Sequence, residues 1–171
     1  MSTVYVPDGK IYMLPGDVAK GVGSLDLGQA RCALSLLATV DTEGEIYNVE
    51  IVSSVVRSAA QLTYEDADWA LEGREGPWAS ALAQLQRAGD ALRARRNVVG
   101  AINIEQPEMV VNVAATGEIE VSVRERASPS RRLVMELMVL CNSLLAEYCR
   151  DHELPAIFRS QEPPDLDRVG L

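Results

Sequence analysis

The chain has 171 residues, 47% of them apolar, and a formal net charge of −9, which excludes a disordered chain and allows one domain with a sizeable core. No apolar run approaches the roughly 20 residues that cross a bilayer, and no signal-peptide pattern opens the sequence, so we expect a cytoplasmic protein without membrane partners. The acidic charge argues against a nucleic-acid binder with a broad basic face, although a narrow channel can hold a strand by local arginines and stacking.

Short elements and a long hairpin are predicted in the first third of the chain. A short strand comes first, followed by a helical turn that contains Pro15 and ends near two glycines. Two strand-length apolar runs then flank the sequence Thr42-Glu-Gly-Glu45, which is the pattern of an antiparallel hairpin with one buried face. These elements are residues 3–6, 14–23, 31–41 and 46–54.

Three helices and a second hairpin are predicted in the rest of the chain. Pro77 can occupy the first turn of the second helix. The third helix carries a wide apolar stripe, with Arg132 and Glu136 on its wetter side. We therefore expect an α+β fold, a mostly antiparallel sheet with helices packed on one face. The helices are residues 64–71, 77–96 and 130–150, and the hairpin strands are 109–113 and 119–123.

Cysteine and histidine are sparse. Cys32, Cys141 and Cys149 lie in apolar segments without CxxC spacing, which favours buried reduced thiols over disulfides or a zinc site. The single histidine, His152, follows the end of a predicted helix and has no partner of a catalytic arrangement nearby in the sequence. We interpret it as a capping or surface residue.

Several short segments together carry a resemblance. The first is Ser2-Thr-Val-Tyr-Val-Pro-Asp8, and the others are residues 11–15, 23–25, 57–64, 96–101, 133–142 and 158–164. In this order they resemble the central part of the RNB catalytic domain of the ribonuclease II and ribonuclease R exoribonucleases. The resemblance implies a partial RNB-like domain over residues 1–160, followed by an irregular tail over 161–171, and an activity that removes nucleotides from the 3′ end of RNA.

The resemblance also implies where the metal chemistry lies. In the family, clustered aspartates hold Mg²⁺ upstream of the matched segments, and an arginine segment that supports the transition state lies downstream. The nearest acidic pairs here are Asp66 with Asp68 and Asp165 with Asp167, which do not match the family position and are predicted to be solvated charges. We therefore expect no catalytic or metal-binding residue in this chain, no cofactor bound by the chain alone and no hydrolysis by the isolated chain.

Two tyrosines are the main candidates for RNA contact. The resemblance places Tyr5 and Tyr64 on family tyrosines that line the RNA channel, the first stacking on the 3′-terminal base and the second contacting the strand. Stacking of a base on an aromatic ring is worth about 1–3 kcal/mol and needs no sequence readout. Without the resemblance, both residues would be interpreted as ordinary half-buried structural tyrosines.

Two arginines match further family positions. Arg31 follows the Gly-Ser-Leu segment, and Arg159 lies in a block where Gln161 replaces a family histidine. An arginine can hold a phosphate with two parallel hydrogen bonds, so both are predicted backbone contacts for single-stranded RNA. Structural salt bridges are the alternative for each.

Glu136 and Asn142 complete the predicted RNA contacts. The family has paired glutamates, a methionine and an asparagine on this helix, but Met135 replaces the first glutamate here. Glu136 has an alternative interpretation as a surface partner of Arg132, one helical turn away.

Three functions remain open from the sequence. The chain is an RNA-binding remnant of a ribonuclease II-like enzyme, or one piece of a split exoribonuclease completed by a second chain, or a protein-interaction module or nonfunctional product that keeps the fold. The acidic charge favours the last, whereas Tyr5 and Tyr64 favour the first two. We also expect self-association or dependence on a partner, because a partial domain exposes strand edges and apolar surface.

Overall fold

A computed structural model describes residues 3–6, 9–74, 76–102, 107–113, 116–124 and 128–159. The predicted α+β class is confirmed. The chain divides into two units, Met1–Leu137 and Met138–Leu171. In chain order the elements are β1 (Val4–Val6), β2 (Gly9–Ile11), a π-helical turn (Asp17–Val22), β3 (Ala30–Val40), β4 (Ile46–Arg57), α1 (Tyr64–Leu71), α2 (Ala79–Val98), β5 (Glu108–Val113), β6 (Ile119–Arg124) and α3 (Pro129–Asp151).

The strands form antiparallel two-stranded ribbons. β1 pairs with β2, β3 with β4, and β5 with β6, so both predicted hairpins are confirmed. Within the described residues the three ribbons do not join into one continuous sheet. Each strand there pairs with one neighbour, and its other edge keeps the unpaired backbone groups typical of an edge strand.

The long β3–β4 hairpin has two different faces, because successive side chains of a strand alternate in direction. On one face the hydroxyls of Ser35 and Ser54 are 2.7 Å apart and hydrogen-bonded. On the other, Cys32 lies opposite Val55 and Leu34 opposite Ser53. Leu34 is 66% exposed and Val55 is 71% exposed, so this second face is an uncovered apolar surface. We call it the outer hairpin face, defined by Cys32, Leu34, Ser53 and Val55.

The prediction of three buried thiols is wrong, although all three cysteines are free. Cys32 and Cys141 are exposed, and Cys149 is half-buried. Cys32 is exposed because it belongs to the outer hairpin face.

The β3–β4 turn is anchored to α2. One carboxylate oxygen of Asp41 accepts backbone N–H groups of Glu43 and Glu45, each at 2.9 Å. Gly44 has a positive φ of 78°, and a Cβ at this position would lie 2.6 Å from the carbonyl oxygen of Ala91 in α2. Arg95 donates to the carbonyl of Gly44 at 3.1 Å. The tight approach of the turn to the helix therefore requires glycine.

The helices follow the predicted pattern with small differences at their ends. α1 has the predicted bounds, and α3 is one residue longer at each end. α2 begins at Ala79 rather than in a turn containing Pro77, because Trp78 is its N-cap. Among the described residues, every helix is too short or too polar to span a bilayer.

His152 follows α3, as predicted. Its side chain is exposed, and its ring stacks on Tyr148 with centroids 4.0 Å apart.

Candidate nucleic-acid interface

The first turns of α1 and α3 are joined through Asp68. Its Oδ1 accepts the backbone N–H of Ser130 at 2.7 Å, one of the donors that a helix start leaves unpaired. The hydroxyl of Ser130 donates to the carbonyl of Tyr64 at 3.2 Å. Burial raises the pKa of Asp68, but the Ser130 N–H and the hydroxyls of Ser128 and Ser130 outweigh it and hold the pKa below its ordinary value. Asp68 therefore caps α3, and its prediction as a solvated charge is wrong.

Asp66 has a similar role at the start of α1. Its Oδ2 accepts the backbone N–H of Thr63 at 3.0 Å and the Thr63 hydroxyl at 2.7 Å. The Thr63 hydroxyl oxygen in turn accepts the N–H of Asp66 at 3.1 Å. This reciprocal pair is a capping box, and hydrogen bonds from Thr63 lower the pKa of Asp66.

Neither carboxylate is therefore free to act as one of a metal-binding pair. Within the described ranges, no three His, Cys, Asp or Glu side chains are grouped as metal ligands. The pair Asp165 and Asp167 lies outside the described residues. The described residues do not fit a Mg²⁺ centre.

A cleft of about 690 Å³ opens beside these two helix starts. Tyr64 is 37% exposed, and the guanidinium carbon of Arg131 lies 4.0 Å from the centroid of its ring. At this distance the cation is attracted by the π-electrons of the ring. The other lining residues are Leu62, Thr63, Glu65, Ala67, Leu82, Ser130, Leu133 and Val134.

Arg131 was not among the residues singled out from the sequence. The Ser130–Tyr64 hydrogen bond beside it joins residues that are 66 positions apart. Local spacing carries no signal for such a contact. Only the fold brings the start of α3 to the start of α1.

Glu136 is one of the most buried polar residues, with 2% of its surface exposed. Its two carboxylate oxygens accept hydrogen bonds from Nε and Nη2 of Arg96 at 2.9 and 2.7 Å. The predictions that Glu136 lies on the wetter side of the helix and pairs with Arg132 are therefore wrong. Glu136 faces inward from α3, next to the contact of Leu133 with Gly89 of α2. Its carboxylate holds α2 and α3 together and is occupied by Arg96.

The other predicted contacts are dispersed. Tyr5 lies in β1 opposite Lys10, and its side chain is outside the described residues. Arg31 donates through Nε to the carbonyl of Ser24 at 2.9 Å, and its Nη2 lies 3.4 Å from Asp26. These contacts agree with the alternative interpretation of Arg31 as part of a structural salt bridge. Asn142 and Arg159 are exposed in the second unit. Among the predicted residues whose side chains the structure describes, only Tyr64 lines the cleft.

Known proteins resemble this chain over most of its length. Residues 1–170 match the family described as RNB domain. An uncharacterized ribonuclease of Synechocystis sp. is 36% identical over 168 residues, covering 96% of this chain and 24% of the relative. Ribonuclease R of Aquifex aeolicus is 28% identical over 173 residues, covering 98% of this chain and 24% of its own. The chain thus spans about a quarter of the length of these curated relatives.

A solved structure shows the same fold. Mycoplasma genitalium RNase R in complex with ribose-methylated single-stranded RNA matches with a TM-score of 0.87 at 19% identity. The match covers 99% of this chain and 27% of that one.

Proposed function

Because the chain belongs to the RNB domain family, as the resemblance implied, we propose that it is the RNA-binding portion of a ribonuclease II-like 3′–5′ exoribonuclease domain. The observation that carries this proposal is the exposed ring of Tyr64 in the cleft between the starts of α1 and α3. The ligand that we propose is single-stranded RNA, which is bound in the Mycoplasma structure of the same fold. We place the protein in the cytoplasm, where such RNA is available.

The affinity is expected to be weak. The formal charge of −9 repels phosphates at long range, so binding depends on short-range contacts within the cleft. Stacking on Tyr64 supplies about 1–3 kcal/mol per base and does not depend on base identity. The ligand class is therefore RNA strands of many sequences rather than one motif.

The chain alone is proposed to be catalytically incomplete. RNB hydrolysis in the family uses Mg²⁺, which activates water and stabilises the leaving oxygen. Asp66 and Asp68 are used in helix caps, and the described residues contain no other grouping that fits the ion. We propose that the metal ligands come from residues outside this chain.

A second candidate function is that this chain is one piece of a split exoribonuclease, which a second chain completes. The outer hairpin face favours it, because Leu34 and Val55 expose apolar surface that a partner would remove from water. A protein-interaction role without RNA predicts the same exposed face but no effect of Tyr64.

RNA binding is tested by fluorescence anisotropy with a short labelled oligonucleotide. Tyr64→Ala should weaken binding about tenfold, in line with loss of one stacked base. Tyr47→Ala is the matched control, because Tyr47 is exposed on β4 and lines no part of the cleft. Tyr5→Ala tests the second predicted tyrosine. Unchanged affinity of a folded Tyr64→Ala protein would remove the main support for RNA binding.

Catalytic incompleteness is tested by incubating 3′-labelled RNA with the purified chain and Mg²⁺, with and without lysate from its source. No shortening is expected with the chain alone, and activity that appears only with lysate supports a second chain. Progressive shortening by the pure chain, abolished by EDTA, would show that the chain is complete.

A further inference from the structure

Arg131 lies over one face of the Tyr64 ring, in the same cleft. Its guanidinium carbon is 4.0 Å from the ring centroid, well within the range of a cation–π contact. A strand that enters the cleft must therefore meet Arg131 and Tyr64 together. Stacking uses the flat face of a guanidinium and leaves the N–H donors at its edge available.

The donors of Arg131 are not taken up by an ion pair within the described residues, although its charge helps to lower the pKa of Asp68. Among the described residues, no carboxylate lies within salt-bridge distance of Arg131, whereas five other arginines have such a partner. The five pairs are Arg31 with Asp26, Arg74 with Glu72, Arg95 with Glu45, Arg96 with Glu136 and Arg150 with Asp151.

The cleft has the size and lining of a site for one nucleotide. Its volume of about 690 Å³ lies within the range of small-ligand pockets. Leu62, Leu82 and Val134 provide apolar surface for a base or ribose, and Thr63, Glu65 and Ser130 are the polar lining residues besides Tyr64 and Arg131. A site for a free inorganic anion would not need the apolar lining.

We propose that Arg131 is a phosphate-binding residue of this cleft, which holds one nucleotide by the Arg131 guanidinium and the Tyr64 ring together. The inference rests on the proposed RNA binding and adds a division of roles within it. Arg131 supplies a charge contact that salt weakens, because phosphate binding releases counterions. Tyr64 supplies a stacking contact that salt affects little.

The division of roles is tested by measuring the affinity of a single-stranded oligonucleotide at several salt concentrations. Arg131→Gln should weaken binding about tenfold at low salt and reduce the magnitude of the slope of log K against log salt by about 0.7. Tyr64→Leu should weaken binding without changing the slope. Arg131→Lys should retain most of the slope, because it keeps the charge.

Arg87→Gln is the matched control, because it makes the same charge change at an exposed arginine of a different cleft, on α2. It should leave the slope unchanged. Equal loss of slope in Arg87→Gln and Arg131→Gln would mean that only net charge matters and would overturn the inference. The inference would also be overturned if a folded Arg131→Gln protein kept the wild-type salt slope while Tyr64→Leu still bound RNA more weakly. That result would leave the proposed function intact.

A second measurement does not require oligonucleotide binding. In ¹⁵N-edited NMR, the Nε–H signal of Arg131 should respond to adenosine 5′-monophosphate at a lower ligand concentration than to adenosine, because the phosphate adds a contact to the guanidinium. Equal responses to the two ligands, or no response to either, would contradict phosphate binding at Arg131. If the wild-type chain fails to bind the oligonucleotide, the proposed function fails, and this titration still decides the role of Arg131.

Discussion

The helices and the β3–β4 hairpin are stabilised in contrasting ways. Between helices, polar side chains reach partners far away in the sequence, as in the Asp68–Ser130 and Arg96–Glu136 contacts. Apart from the contact of its turn with α2, the hairpin relies on the backbone ladder between adjacent strands, and its outer face stays exposed. Long-range polar contacts suit a binding site, since each contact fixes a helix in place and so keeps the site residues in one geometry. A surface that is covered only when a partner binds does not need such contacts.

The largest expected effect is at the buried ion pair. Glu136→Ala should lower the free energy of unfolding by about 3 kcal/mol, because Arg96 is left without its carboxylate. The loss lies at the low end for buried pairs, since the Arg96 side chain is 30% exposed. Chemical denaturation measures it. Glu147→Ala, at an exposed position of the same helix, should change stability by less than about 0.5 kcal/mol, and equal losses would show that Glu136 has no special role.

The next effect concerns the point where the hairpin meets α2. Gly44→Ala should destabilise the protein by about 2–3 kcal/mol, because the new Cβ combines a positive φ with a clash against the Ala91 carbonyl. Gly117→Ala shares the positive φ, but its Cβ would meet no atom within 4 Å among the described residues. It should cost only about 1 kcal/mol. Similar thermal unfolding midpoints for the two variants would mean that the close approach at Gly44 is not stabilising.

A smaller, pH-dependent effect is expected at Asp68. Its pKa is below the ordinary value of 3.8, so the folded state favours the carboxylate and gains stability from it above that value. This contribution decreases as the pH falls below about 3.8 toward the lowered folded pKa. Asp68→Asn should cost about 1 kcal/mol at pH 7 and progressively less in this acidic window. A difference from wild type that stays constant from pH 7 to pH 2.5 would contradict the assignment.

The smallest effect on stability is expected at the outer hairpin face. Replacing Leu34 and Val55 together by Ser should change the free energy of unfolding by less than about 1 kcal/mol, because both side chains are mostly exposed. Binding of a hydrophobic dye should fall, and so should any concentration-dependent sedimentation. Wild-type protein that sediments as a monomer at every concentration and binds no dye would rule out this face as a site of association.

Local sequence patterns predicted the elements and not their long-range contacts. Thr63 and Asp66 set the start of α1 within three residues, and the turn at Gly44 set the hairpin, so both were predictable. The partner of Glu136 was not, because helical spacing points to Arg132 whereas Arg96 lies 40 positions away. The resemblance indicated Tyr64 as a site residue. The cation–π contact of Arg131 with Tyr64 depends on how the starts of α1 and α3 meet, which no spacing in the sequence encodes.

The long reach of the Asp68–Ser130 hydrogen bond has a consequence for folding kinetics. Its residues are 62 positions apart, so the chain must close a large loop before the bond can form. A hairpin with a short turn forms in about 1–10 μs, and the β3–β4 ladder should therefore precede the cleft. Contacts that form late affect mainly the unfolding rate. A nucleotide bound in the cleft should accordingly slow unfolding and leave the refolding rate nearly unchanged.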